Sequence, residues 1–93
     1  MREKATNLKE LSELLHSDLR IYLDFERVYG SIDDPEMKNK RKAISSLIGE
    51  LVWHDSFAEV IKAIEKRELF DDYKNEDVYS YMLKYMKHNT VEE

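Results

Sequence analysis

Glu13-Leu-Leu-His16 sets a carboxylate and an imidazole three residues apart, the Glu-x-x-His spacing with which helices of carboxylate-bridged di-iron bundles present metal ligands. Glu50 and His54 stand one helical turn apart and form a second pair able to share a metal. A di-iron centre needs a second Glu-x-x-His and further inward carboxylates, and these are missing. Glu13 and His16 also project well away from the neighbouring leucine stripe, so they are expected to face solvent. No metal and no cofactor is expected.

His54-Asp55 is the dipeptide found in metal-dependent phosphohydrolases, but such a site requires further histidines and only His16 and His88 remain. The pair reads better as a helix end, with Asp55 or Ser56 capping the next helix. Cysteine is absent, which removes thiolate nucleophiles, disulfides and thiolate metal sites. Ser12, Ser17, Ser31, Ser45, Ser46, Ser56 and Ser80 lack an evident base and oxyanion arrangement. The two glycines, Gly30 and Gly49, are isolated and form no phosphate-cradling loop. The expectation is therefore a non-enzyme.

Three segments suit binding. From Glu65 to Tyr85 acidic residues and aromatic rings alternate as nowhere else. Tyrosine offers stiff contact area with a polar tip, and clustered carboxylates steer basic partners. Phe70, Asp71, Asp72, Tyr73, Glu76, Asp77 and Tyr79 are the candidate partner-binding residues, with Phe70, Tyr73 and Tyr79 as anchors unless they tuck onto the core. Ser45, Gly49 and Trp53 recur at four-residue spacing. Glycine in a helix interior costs roughly 1 kcal/mol against alanine, which suggests close approach of another helix, from this chain or from a second copy. Lys38-Asn39-Lys40-Arg41-Lys42 is the one basic cluster; it has no interleaved aromatics and reads as the solvated face of a helix.

Four helices must position these residues. The first is expected over about 7–29: Asn7 and Glu10 have capping-box spacing, Leu8, Leu15, Tyr22 and Tyr29 repeat at seven with Leu11 and Phe25 beside them, and Gly30 supplies the stop. Asp18 alone breaks the stripe, as a carboxylate at the bundle edge or a polar contact within it. The second helix, about 35–54, opens on Asp34-Pro35-Glu36 and buries Ile44, Leu47, Ile48, Leu51 and Val52. The next apolar set, Phe57, Val60, Ile61 and Ile64, would face the opposite way on one continuous helix. The chain must therefore break at Trp53–Ser56, where Ser56 and Glu59 form a capping box. The third helix is expected over about 57–69. The fourth, about 75–88, has Glu76 and Asp77 in its first turn and a face of Val78, Tyr81, Met82, Tyr85 and Met86. The architecture is all-α, a compact antiparallel four-helix bundle-like domain.

Ninety-three residues make one domain, with residues 1–6 and 90–93 expected to fray. No apolar run approaches the roughly 20 residues that span a bilayer, and the N-terminus is charged, so the chain reads as soluble, unexported and cytoplasmic. The net charge of −5 sits wholly in the second half: residues 49–93 hold six basic and eleven acidic side chains, whereas residues 1–48 are balanced. That opposes general nucleic-acid binding.

In size, acidity and helical make-up the chain resembles the small immunity proteins that neutralise bacteriocins or toxin nucleases, and it is similar to phage-encoded anti-sigma inhibitors. The Tyr-Tyr-Pro-Ser-Asp segment of DNase-colicin immunity proteins is absent, and no residue roles carry over. The resemblance implies a binding domain that masks a basic partner. A homo-oligomer, or a small subunit of a larger assembly, is the second expectation. A nucleic-acid accessory protein acting through Lys38 to Lys42 is the third.

Overall fold

The computed structural model describes residues 3–69 and 75–91. They form four helices: α1 (Leu8–Tyr29), α2 (Pro35–Leu51), α3 (Phe57–Glu65) and α4 (Glu76–Asn89). Each begins on a side-chain cap that satisfies an orphan amide of the first turn. Asn7 accepts from the Glu10 N–H at 2.9 Å, while the Glu10 carboxylate accepts from the Thr6 N–H at 2.8 Å. Ser56 accepts from the Glu59 N–H at 3.2 Å, and Glu59 reaches back to the Asp55 N–H at 2.7 Å. Asp34, followed by Pro35, and Asn75 cap the other two.

α2 is the central element, packing against α1 on one flank and α4 on the other, and α3 packs against α4. The core gathers Leu11 and Leu15 from α1, Ala43, Ile44, Leu47 and Leu51 from α2, Phe57, Val60 and Ile64 from α3, and Val78, Tyr79, Met82 and Met86 from α4. The break at Trp53–Ser56 stands where the two opposed apolar faces demanded it. It lets the faces of α2 and α3 close on one core instead of pointing apart.

Four local expectations need correction. Tyr29 lies beyond the packed body and is 73% exposed, so the stripe of α1 outruns what α2 can cover. On α2 the buried arc includes Ser46 and Glu50 and leaves Val52 in solvent. At 100° per residue Val52 sits about 140° from Leu47, too far round to share its arc. α3 stops at Glu65 because Arg67 takes φ 60°, and the Arg67 and Glu68 amides fold back onto Ile64 and Ala63 at 3.1 and 2.9 Å. This is a Schellman closure with arginine at the usual glycine position. Finally, Ala5 and Thr90 are not frayed. The Ala5 N–H donates to the Asn89 carbonyl at 2.7 Å and the Val91 N–H to the Ala5 carbonyl at 3.0 Å, a two-bond clasp that buries both Ala5 and Thr90.

Candidate functional site: a groove between α1, α2 and α4

Glu13 and His16 face solvent as their register requires, and the His16 ring bonds the Ser12 carbonyl at 2.8 Å. Glu50 and His54 do meet, 3.2 Å apart, but Glu50 is only 2% exposed and its carboxylate is engaged within the fold. Asp55 is exposed beside the α3 cap. No cluster of three or more His, Asp or Glu side chains able to hold a metal occurs among the described residues.

The acidic-aromatic candidates do not come together as one patch among the described residues. Phe70, Asp71, Asp72 and Tyr73 lie outside them. Tyr79 is a core residue, 3% exposed, which removes it as a surface anchor. The physical reason is its place on the inward arc of α4, about 60° from Met82. Glu76 is exposed but held: its carboxylate accepts from Arg67 Nη2 at 2.7 Å and Nε at 3.0 Å. The same guanidinium lies 4.5 Å over the Tyr79 ring and donates to the Ile64 carbonyl at 2.7 Å. Arg67 thus ties the end of α3 to the start of α4, a role its position in the sequence does not signal. Asp77 is exposed too, at the α4 N-terminus where the helix dipole favours it.

Gly49 is exposed, and a Cβ placed there would meet nothing within 4 Å. Close approach by a neighbouring helix of this chain is therefore not its reason. Ser45 is half-buried, and Trp53 is 63% exposed beside Val52 at 78%. The Lys38–Lys42 run is dispersed. Lys40 pairs with Glu36 at 3.3 Å, Arg41 pairs with Glu26, and Asn39 accepts from Asn75 at 3.2 Å. Lys38 and Lys42 are left as exposed cations.

A further concavity lies elsewhere. α1 and α4 flank α2 and meet each other through side chains, leaving a groove of about 350 Å³. Ala43 and Ile44 form its floor, Asp18, Ile21 and Tyr22 one wall, and Tyr81, Lys84, Tyr85 and His88 the other, with Lys40 at the lip. Asp18, the break in the α1 stripe, accepts from the Tyr85 hydroxyl at 2.6 Å across the groove. The Tyr81 hydroxyl donates to Glu36 at 2.9 Å, and the Lys40 and Lys84 ammonium groups lie 5.3 and 5.6 Å from the Tyr81 ring. The tyrosine hydroxyl first, and Lys40 second, hold the Glu36 carboxyl below its ordinary pKa; the same carboxylate raises Tyr81 and Lys40.

Past the groove the outer face of α1 continues apolar. Ile21, Val28 and Tyr29 are 65%, 66% and 73% exposed, and Phe25 stacks on Tyr29 with ring centroids 4.8 Å apart. Sequence periodicity placed Phe25 and Tyr29 on a buried stripe. What hid this surface is that only the first half of α1 has enough partner helix to cover it.

Side chains of α1, α2 and α4 thus line an open, mainly apolar groove. Comparison with protein-family models, curated proteins and solved structures gives no match to this chain. No helix among the described residues is long and apolar enough to cross a membrane.

Proposed function

We propose that the chain is a non-enzymatic protein-binding domain, with the outer face of α1 as its contact surface. The observation that supports this most directly is the exposure of Ile21, Val28 and Tyr29 on one helix whose first half buries Leu11 and Leu15 in the core. Apolar anchors presented in a contiguous group are a hallmark of interaction surfaces, whereas scattered ones are ordinary. The expectation of a basic partner rested on the acidic-aromatic segment, most of which lies outside the described residues or is engaged within the fold. The α1 face carries the reading instead. Masking a partner in the manner of small inhibitors is compatible with it, as is a cytoplasmic setting for a chain without cysteine.

The test is capture from native lysate with the wild-type domain and with an Ile21→Asp/Val28→Asp variant, both checked for helicity by circular dichroism. A Glu65→Lys variant serves as surface control. A partner held by wild type and control but lost from the double variant is the expected result. Equal capture by all three would remove α1 from the contact.

A second reading is favoured by one observation. Gly49 opens onto empty space next to exposed Val52 and Trp53, a surface a second copy of the chain could approach closely. In this reading the chain is a homo-oligomer or a small assembly subunit.

A further inference from the structure

We propose that the outer face of α2 is a contact between two copies of this chain, packed antiparallel about a twofold axis beside Gly49. This deepens the homo-oligomer reading and rests on it. Helical geometry defines the face. At about 100° per residue, Lys38, Lys42, Ser45, Val52 and Trp53 all fall within roughly 60° of Gly49. Val52 keeps helical dihedrals and the Trp53 N–H donates to the Glu50 carbonyl at 3.1 Å, so the turn carries on past the end of α2. The core residues Ala43, Ile44, Leu47 and Leu51 lie on the far side of the helix. Ser45 is half-buried; the other members of the strip are exposed, two large apolar side chains among them.

Charge and spacing select the occupant. The other charges of α2 are engaged: Glu36 with Lys40, Arg41 with Glu26, and Glu50 with His54 on the inward side. Lys38 and Lys42 are exposed and form no ion pair among the described residues. Just past the other end stand Asp55 and Glu59, exposed and likewise without an ion pair there. Glu59 accepts from the Asp55 N–H at 2.7 Å, a neutral donor. The next charge along α3, Lys62, lies almost a turn further on. The strip thus runs from cationic to anionic. Lys42 precedes Gly49 by seven residues and Asp55 follows it by six. By helical rise Lys42 stands about 10 Å before the glycine, and Asp55 at a comparable remove past it. A strip centred in this way is complementary to itself when turned end over end. Lys42 of each copy then meets the Asp55 of the other, and Lys38 the Glu59. Val52 and Trp53 close over Ser45 and the aliphatic stem of Lys42, with the Trp53 ring near an ammonium group. Gly49 lies at the crossing, where a Cβ would meet nothing within the monomer and its lack lets two backbones approach. The net charge of −5 opposes association at long range, but beyond a Debye length of about 8 Å it is largely screened at physiological salt. A different partner would have to carry the same charges at the same spacing; the chain itself already does.

Sedimentation velocity of the full chain at physiological salt tests this. The proteins are wild type, Lys42→Glu, Asp55→Lys and the double variant Lys42→Glu/Asp55→Lys, each checked for helicity by circular dichroism. Wild type is expected to move from the mass of one copy to that of two as concentration rises. Either single reversal sets like charges together twice per dimer and should weaken association roughly tenfold. The double variant should return to within about threefold of wild type. So should an equimolar mixture of the two single variants, whose heterodimer restores both pairs. Association that ignores the reversals, or that neither the double variant nor the mixture recovers, would overturn the antiparallel pairing and leave the homo-oligomer reading in place. Assembly beyond two copies would overturn the closed twofold. A wild-type chain that stays monomeric up to about 1 mM would remove the homo-oligomer reading itself, and this contact with it.

Discussion

Arg67 shows how much one side chain can do at a place the sequence does not mark. Its backbone takes φ 60°, a conformation costing a non-glycine residue on the order of 1 kcal/mol, where helices usually place glycine. Its guanidinium offsets that cost by bonding the Ile64 and Glu65 carbonyls, pairing with Glu76 and covering the Tyr79 ring. The ion pair is largely exposed and contributes little alone. Arg67→Ala keeps the strain and loses every contact, so a loss of about 1–2 kcal/mol is expected. Arg67→Gly loses the same contacts and relieves the strain, and should be more stable than the alanine variant by about 1 kcal/mol. Urea unfolding of the three proteins reads the order directly. An alanine variant at least as stable as the glycine one would remove backbone strain from the account. Tyr79 teaches the complementary lesson. Its burial was legible, since it lies beside the Val78–Met82–Met86 row at helical spacing, but the surrounding carboxylates drew attention outward.

At the scale of elements, what was legible was local. Caps at Asn7, Asp34, Ser56 and Asn75 satisfy amides two or three residues away, and the α2–α3 break follows from two apolar arcs that cannot share one side of a helix. Helix ends set by tertiary contact were not legible: α3 closes four residues early on Arg67, and Ala5 is held by Asn89 and Val91 from the far end of the chain. Gly49 sits between these cases. Its presence inside α2 was visible, yet its reason is absent from the monomer, because a Cβ there would meet open space. Gly49→Ala should therefore stabilise the isolated domain by about 0.5–1 kcal/mol through helix propensity alone, raising the urea midpoint. Sedimentation velocity on the same pair adds the functional half. If Gly49 admits a second copy, the added methyl should shift a concentration-dependent mass toward monomer while the monomer itself gains stability. Unchanged association would leave the glycine without a contact role.

Across the whole molecule, the groove depends on a distance that no local pattern encodes: α1 and α4 both pack on α2, and their separation sets the opening. Asp18 was the one sequence signal for it, a carboxylate on an apolar stripe, and its partner Tyr85 lies 67 residues away. Two other carboxylate contacts, Thr6 to Glu10 and Tyr81 to Glu36, give stability a pH dependence. Glu10 is held below its ordinary pKa by the Thr6 hydroxyl and then the Thr6 amide, and Glu36 by the Tyr81 hydroxyl and then Lys40. A depressed carboxylate contributes stability that is present above its unfolded pKa and is lost as pH falls through its folded value. Tyr81 and Lys40 are raised, chiefly by hydrogen bonding to Glu36, so their share is present below their unfolded values and is lost as pH rises through the folded ones. One carboxylate thus supports both limbs of the profile, binding α2 to α4 through the neutral range. Glu36→Gln should lower the melting temperature at pH 7, approach wild type as pH falls from about 4.5 to 3, and flatten the alkaline limb above about pH 10. Thermal unfolding of both proteins from pH 2 to pH 11 measures this. A constant offset between the curves at every pH would show that the Glu36 charge plays no part, and that the loss comes from side-chain shape alone.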